Sequence, residues 1–235
     1  MHKALEQLIG KLRKAYGDRL VSVVLYGSAA DGDHSKFSDY NVLCVLSRIT
    51  PRELSESAPI FRWWREHRSP APLLLTEAEM AESADCFAIE FHDIQRQHRI
   101  LYGKDVVAGL AVDDGFYRAQ VEHDLRAKLL RLRQKAAGVL EDPSLLRRLL
   151  LDSVSTFCVL FRHALALDGA EAPLRKREVV ARAAERFGFD PAPFDRLLDL
   201  REERIKPRQV NPAALLGPYF EGISAVVSAV DRLAK

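Results

Sequence analysis

A chain of 235 residues, 48% of them hydrophobic and 29% charged, holds enough apolar material for a real core, as one large domain or two small ones. A formal net charge of +2 excludes a polycation, so any contact with nucleic acid or nucleotide would use a local patch.

In chain order, Leu5, Leu8, Ile9 and Leu12 recur at helical spacing and predict a first helix that stops near Gly17. Val21 to Tyr26 is a short apolar run ended by Gly27-Ser28, which reads as a buried strand and a tight turn. A polar stretch from Ala29 to Ser38 leads to a second strand from Asp39 to Ser47. Pro51 opens a helix that runs to about His67, with proline in the first turn where helices favour it. Pro72 to Thr76 reads as a third strand, Glu77 to Ser83 as a short helix, Cys86 to Phe91 as a fourth strand and Ile100 to Tyr102 as a short fifth. After Asp113 no strand is convincing. Helices are expected over 115–140, 143–168, 175–187, 191–203 and 212–234, separated at Asp142-Pro143, Asp168-Gly169, Gly188 and Lys206-Pro207. The expected fold class is α+β: a mixed sheet flanked by helices over 1–110, then a helical bundle over 111–235.

The cysteines, Cys44, Cys86 and Cys158, are far apart, each in an apolar run, and without zinc-ligand spacing. They are expected to be buried thiols in a reducing compartment. The residues from Met1 to Glu6 lack the apolar segment of a signal peptide. The longest uncharged stretch in the most apolar helix runs only from Ser153 to Phe161, short for a bilayer span. A cytoplasmic protein with no membrane partner is expected.

The chemistry is concentrated in Val23-Val24-Leu25-Tyr26-Gly27-Ser28, ten residues, and then Asp39-Tyr40-Asn41-Val42-Leu43. Side chains alternate along a strand, so Asp39 and Asn41 share one face. Two oxygen-bearing side chains at the mouth of a strand suit a hard divalent cation such as Mg²⁺. A third donor is expected from Glu90, a lone acid in the apolar run Phe87 to Phe91, where an unpartnered charge is costly. An edge-strand charge that discourages aggregation is the other reading of Glu90, and a structural role is expected for His92 and Asp93. The segment from Gly27 to Lys36 is not a P-loop, because no Gly-Lys-Ser/Thr closes it.

This arrangement resembles the minimal nucleotidyltransferases of the DNA-polymerase-β superfamily, which include aminoglycoside and antitoxin-type nucleotidyltransferases. Their signature is an apolar strand, Gly-Ser, about a dozen residues, Asp-x-Asp on the next strand, and a later acid. Gly27, Ser28, Ser38, Asp39 and Glu90 match it, and the run from Arg99 to Asp105 is similar to the end of such a domain; the likeness covers residues 18–105. The second Asp of the signature is Asn41 here, which offers an oxygen but no charge. The resemblance implies NMP transfer, AMP first, from an NTP to a hydroxyl of a small molecule or a protein. Gly27, Ser28 and Ser38 would hold the nucleotide, and Asp39, Asn41 and Glu90 would hold Mg²⁺, as a single ion. In the helical half, Arg118, Glu122, Arg126 and Arg133 form a stripe on one helix face. Similarity to antibiotic nucleotidyltransferases offers Glu122 as base and Arg126 as phosphate ligand, while a solvated face is the plainer reading. Some relatives build the cleft across a homodimer, in which case Glu122 would serve a neighbouring subunit. The alternative function is a degenerate nucleotidyltransferase fold that binds nucleotide or a protein partner without catalysis.

Overall fold

The computed structural model describes residues 3–31, 40–67 and 69–233, with the side chains of Ser28 and Asp31 left aside. Ser38 and Asp39 therefore lie outside the described residues. The chain divides into two units, Met1–Gly115 and Phe116–Lys235.

In the first unit, β1 (Leu20–Tyr26), β2 (Asn41–Leu46), β3 (Leu73–Thr76) and β4 (His98–Gly103) form one sheet in the order β3-β2-β1-β4. β1 is antiparallel to both β2 and β4, and β2 is parallel to β3. The parallel pair needs a crossover, supplied by α2 (Pro51–Glu66). Alternation sends Val23, Leu25, Val42 and Cys44 to one face. There they meet Leu5, Leu8 and Leu12 of α1 (Lys3–Tyr16) and Ile60 and Trp64 of α2. Val24, Leu43 and Val45 point the other way. They pack on Met80 of α3 (Glu77–Glu82), on Phe91 and Ile94 of α4 (Ala88–Arg96), and on Val107. Covered on both faces, β1 and β2 read as nearly continuous apolar runs.

The expected strand from Cys86 to Phe91 is absent; α4 occupies most of it. A six-residue apolar run does not distinguish strand from helix. Over a longer window the buried positions are Ala88, Ile89, Phe91 and Ile94, which is helical spacing, and Phe87 is 47% exposed. Cys86 consequently falls in the turn before α4 and is exposed, contrary to the expectation of a buried thiol. Cys44 and Cys158 are buried, and burial pushes both thiols up to about 12.

One buried ion pair ties α1 to the start of α2. Thr50 caps α2 and forms a reciprocal box with Glu53. The Thr50 hydroxyl and N–H donate to Glu53 Oε2 at 2.5 and 2.9 Å. The Arg19 guanidinium pairs with Glu53 Oε1 and, at 2.7 Å, with Glu56, while donating to the Ala15 and Tyr16 carbonyls at the end of α1. The Thr50 hydroxyl, then Arg19, outweigh burial and hold the Glu53 carboxyl at about 2, below its ordinary 4.5.

The second unit is helical: α5 (Tyr117–Ala137), α6 (Pro143–Leu167), α7 (Lys176–Phe187), α8 (Ala192–Arg201) and α9 (Pro212–Arg232). By length and composition alone α6 and α9 could each cross a bilayer. In the structure α6 is the central helix, burying Leu150, Val154, Phe157, Phe161 and Ala164 among the other four. Phe157, Phe161, Phe189, Phe194 and Tyr219 form an aromatic cluster with ring centroids 4.7–6.4 Å apart. Gly222 of α9 faces it; a Cβ there would lie 2.7 Å from Phe194 and 2.9 Å from Phe189.

Two measurements check these interactions. Because the folded Glu53 pKa lies below the unfolded one, its contribution is complete above about 4.5 and is lost as pH falls towards about 2. The gap in urea midpoint between wild type and Glu53→Gln should therefore be widest near neutral pH and narrow between about pH 4.5 and 3. Gly222→Ala should lower stability by about 1–2 kcal/mol, since overpacking outweighs the gain in helix propensity. Gly10→Ala in α1, where a Cβ meets nothing within 4 Å, should raise stability by up to about 1 kcal/mol.

Candidate functional site at the end of the central strand

β1 is hydrogen-bonded on both sides, and its last residues sit at one end of the sheet. Gly27 ends it with a φ of +74°, a left-handed conformation open to glycine because it lacks a Cβ. The chain then enters a short 3-10 helix, Gly27–Asp31, which carries Ser28. The Gly27 N–H donates to the Gln97 carbonyl at 3.0 Å, so it is committed to the sheet end. A Cβ on Gly27 would stand 3.2 Å from Asn41 Nδ2. The two residues singled out in sequence, Gly27 and Asn41, are thus in direct apposition.

Asn41 is the register partner of Tyr26, and Tyr26 is the partner of His98 on its other side. Asn41, Tyr26 and His98 therefore form a row across β2, β1 and β4, on the face that carries Leu43, Val24 and Ile100. α4 covers this face through Phe91 and Ile94. Burial first, then the Glu90 and Asp93 carboxylates, push the Tyr26 phenol up to about 12, so it remains a neutral donor. Glu90 thus acts on the same sheet face as Asn41, but from a helix and not from the expected strand.

Tyr26 and His98 were not singled out in sequence. Tyr26 looks like any strand residue until the β1–β2 register sets it opposite Asn41. His98 precedes the stretch expected as a strand. Its Nε2 lies 3.9 Å from Asp105 Oδ1. The Asp105 carboxylate accepts from the Val107 and Ala108 N–H groups at 2.9 and 3.0 Å, and these bonds with His98 hold its carboxyl below the ordinary range. His92 pairs with Asp114 at 2.5 Å on the exposed side.

Among the described residues no group of three or more His, Cys, Asp and Glu side chains could hold a metal ion. The oxygen donors described on the site's sheet face include the Asn41 amide and the Glu90 carboxylate.

In the second unit, Glu122 accepts from Arg118 Nη1 at 2.9 Å and from Arg126 Nε at 2.8 Å. Arg126, then Arg118, lower the Glu122 carboxyl pKa against the opposing effect of burial. Arg126 also lies 3.5 Å from Asp231, and Arg118 and Arg133 reach Val230 O and Ser224 Oγ, each at 3.4 Å. The stripe on α5 is thus largely engaged with α9 and is not simply a solvated face.

Residues 5–118 match the family model described as the nucleotidyltransferase domain. The chain is similar to the solved structure of spectinomycin adenyltransferase AAD(9) from Enterococcus faecialis with ATP and spectinomycin. That match has a TM-score of 0.63 and 16% identity, and covers 97% of this chain and 99% of that one. A toxin–antitoxin structure with AMP-PNP matches 43% of this chain and 74% of that one, with 15% identity and a TM-score of 0.30. No curated protein sequence matches the chain. With its mixed sheet, its Gly27 corner and a match to the nucleotidyltransferase-domain model over the whole sheet, the N-terminal half of the chain has the fold of a nucleotidyltransferase, and a helical bundle follows it.

Proposed function

We propose that the protein transfers an NMP, AMP first among the candidates, from an NTP to a hydroxyl of a small molecule or a protein, with Mg²⁺ as cofactor. The observation that carries this reading is the left-handed Gly27 corner, with Asn41 against it and Glu90 acting on the same sheet face. A corner without a Cβ lets a phosphate approach the backbone closely. The Gly27 N–H is already bonded to Gln97, so phosphate contacts fall to Ser28, Ser38 and the side chains of the row. Amide and carboxylate oxygens are the donors that a hard cation takes, and Asn41 and Glu90, with Asp39, would hold Mg²⁺. When bound, the cation neutralises phosphate charge. The chain's own part is to position the triphosphate and the acceptor.

In the helical bundle, Arg126 is proposed as a phosphate ligand and Glu122 as the base for the acceptor hydroxyl. Glu122 held by two arginines is a poor proton acceptor. Arg126 turning from Glu122 to a phosphate would remove the stronger of the two contacts and restore basicity, which links the two roles. ATP with spectinomycin, the pair bound in the similar adenyltransferase, is the first combination to try.

A second reading, a nucleotide-binding relative without catalysis, is favoured by one observation: Asn41 stands where the family signature has a charged oxygen donor. ATP with Mg²⁺ should raise the melting temperature by several degrees at saturation, because ligand binding to the native state opposes unfolding. If no NTP shifts it with Mg²⁺ or Mn²⁺, the nucleotide site is wrong. Pyrophosphate release that Asp39→Ala abolishes supports transfer. ATP binding without release, and release created by Asn41→Asp, supports the second reading. Gly27→Ala should cost about 1–3 kcal/mol through its left-handed backbone and press on Asn41, and it should remove the ATP-dependent shift in either case.

A further inference from the structure

The site poses a question of donors. A triphosphate offers only acceptors, and a site for it must present N–H or O–H groups or cations. The Gly27 N–H is spent on the Gln97 carbonyl. The Asn41 amide borders the Gly27 corner, and the Tyr26 hydroxyl belongs to the strand residue opposite Asn41. Neither has a hydrogen-bond partner among the described residues, although both lie at least half-covered in the sheet row. A tyrosine hydroxyl in such a position ordinarily finds a partner. Asn41 and Tyr26 face each other directly across β1 and β2. Opposed residues of an antiparallel pair hold their Cβ atoms about 4.5–5.5 Å apart, close enough for both to reach one phosphate. Asn41 Nδ2 also borders the space left by the missing Gly27 side chain, 3.2 Å from the Cβ position.

The residue type at position 41 then acquires a meaning. An aspartate there would add charge and acceptors, and would meet a phosphate only through a cation. An asparagine adds two N–H donors. We propose that Asn41 and Tyr26 form a two-donor clamp that hydrogen-bonds the triphosphate of the nucleotide directly, so that nucleotide affinity in this chain does not depend on a divalent cation. The clamp rests on the reading of the Gly27 corner as the nucleotide site. Glu90 and Asp93 of α4 act on Tyr26 and oppose a bare phosphate, while Asn41 stands against the Gly27 corner. Binding would thus use the N–H and O–H donors of the clamp, and transfer the carboxylates with Mg²⁺, to which the Asn41 amide oxygen remains available while its N–H group holds the phosphate.

Calorimetric titration of the full chain with ATP, in EDTA and in Mg²⁺, tests this. Wild type should bind in EDTA within about threefold of its affinity in Mg²⁺. Tyr26→Phe, which keeps the ring, should weaken ATP about tenfold in both buffers, the worth of one hydrogen bond to a charged group. Asn41→Asp should weaken it at least about tenfold in EDTA and recover in Mg²⁺. Asn41→Ala, which removes the donor without adding charge, should weaken it in EDTA and not recover; melting curves establish that each variant is folded. Loss of wild-type binding in EDTA while it persists in Mg²⁺ overturns the clamp and leaves the nucleotide site standing. Folded Tyr26 and Asn41 variants that bind as wild type does in EDTA also overturn it. No ATP binding in either buffer overturns the nucleotide site and the clamp together.

Discussion

The left-handed backbone at Gly27 is the constraint on which the site depends. β1 lies between β2 and β4 and is bonded to both, so where it stops decides where the sheet ends. A residue with a Cβ would strain that turn and push against the Asn41 amide. With glycine, the chain leaves the sheet at once and Asn41, Tyr26 and His98 remain aligned as a row at its margin. Two packed faces hold this row from behind, one under α1 and α2 and the other under α3 and α4. A site on the end of a doubly covered sheet is rigid where it must be, and its irregular backbone is confined to the turn.

The electrostatics of the row follow from its surroundings. Burial first, and then the Glu90 and Asp93 carboxylates, keep the Tyr26 phenol protonated. Another carboxylate at position 41 would add like charge to a face that already carries Glu90 and Asp93, and like charges in one site raise the cost of ionising each. The amide avoids that cost. It also removes one of the charges with which a pair of cations would be held. The same substitution therefore weakens the case for two-metal chemistry and eases the packing of acids around a neutral donor.

The parts of this architecture that were legible in sequence are those set by local pattern. β1, β2 and β3, and the helices opened by Pro51, Pro143 and Pro212, follow from apolar periodicity and from proline at the first turn. The closeness of Gly27 to Asn41 was implied by a turn and a strand start some dozen residues apart. What escaped was set by long-range packing. Ala88 to Phe91 is apolar enough for either state, and only the need to bury Ile94 along with Phe91 under the sheet makes it a helix. Cys86 went with it, from the expected start of a buried strand to an exposed turn. Tyr26 gained its place from the register between β1 and β2, which no single-strand pattern contains.

The displacement of Glu90 from strand to helix changes the kind of site this is. A carboxylate on a strand is fixed by two ladders of hydrogen bonds, whereas α4 is a nine-residue helix whose first residue follows a cap without a side-chain hydrogen bond. Its hold on the sheet comes from Phe91 and Ile94, and Glu90 and Asp93 of the same helix act on Tyr26. The acid proposed for this site is therefore positioned by apolar packing, and the proposed donors by the sheet. Binding through the rigid donors and chemistry through the less rigid acid would let nucleotide settle first and the carboxylate adjust afterwards. Such an order suits a site whose second oxygen donor carries no charge.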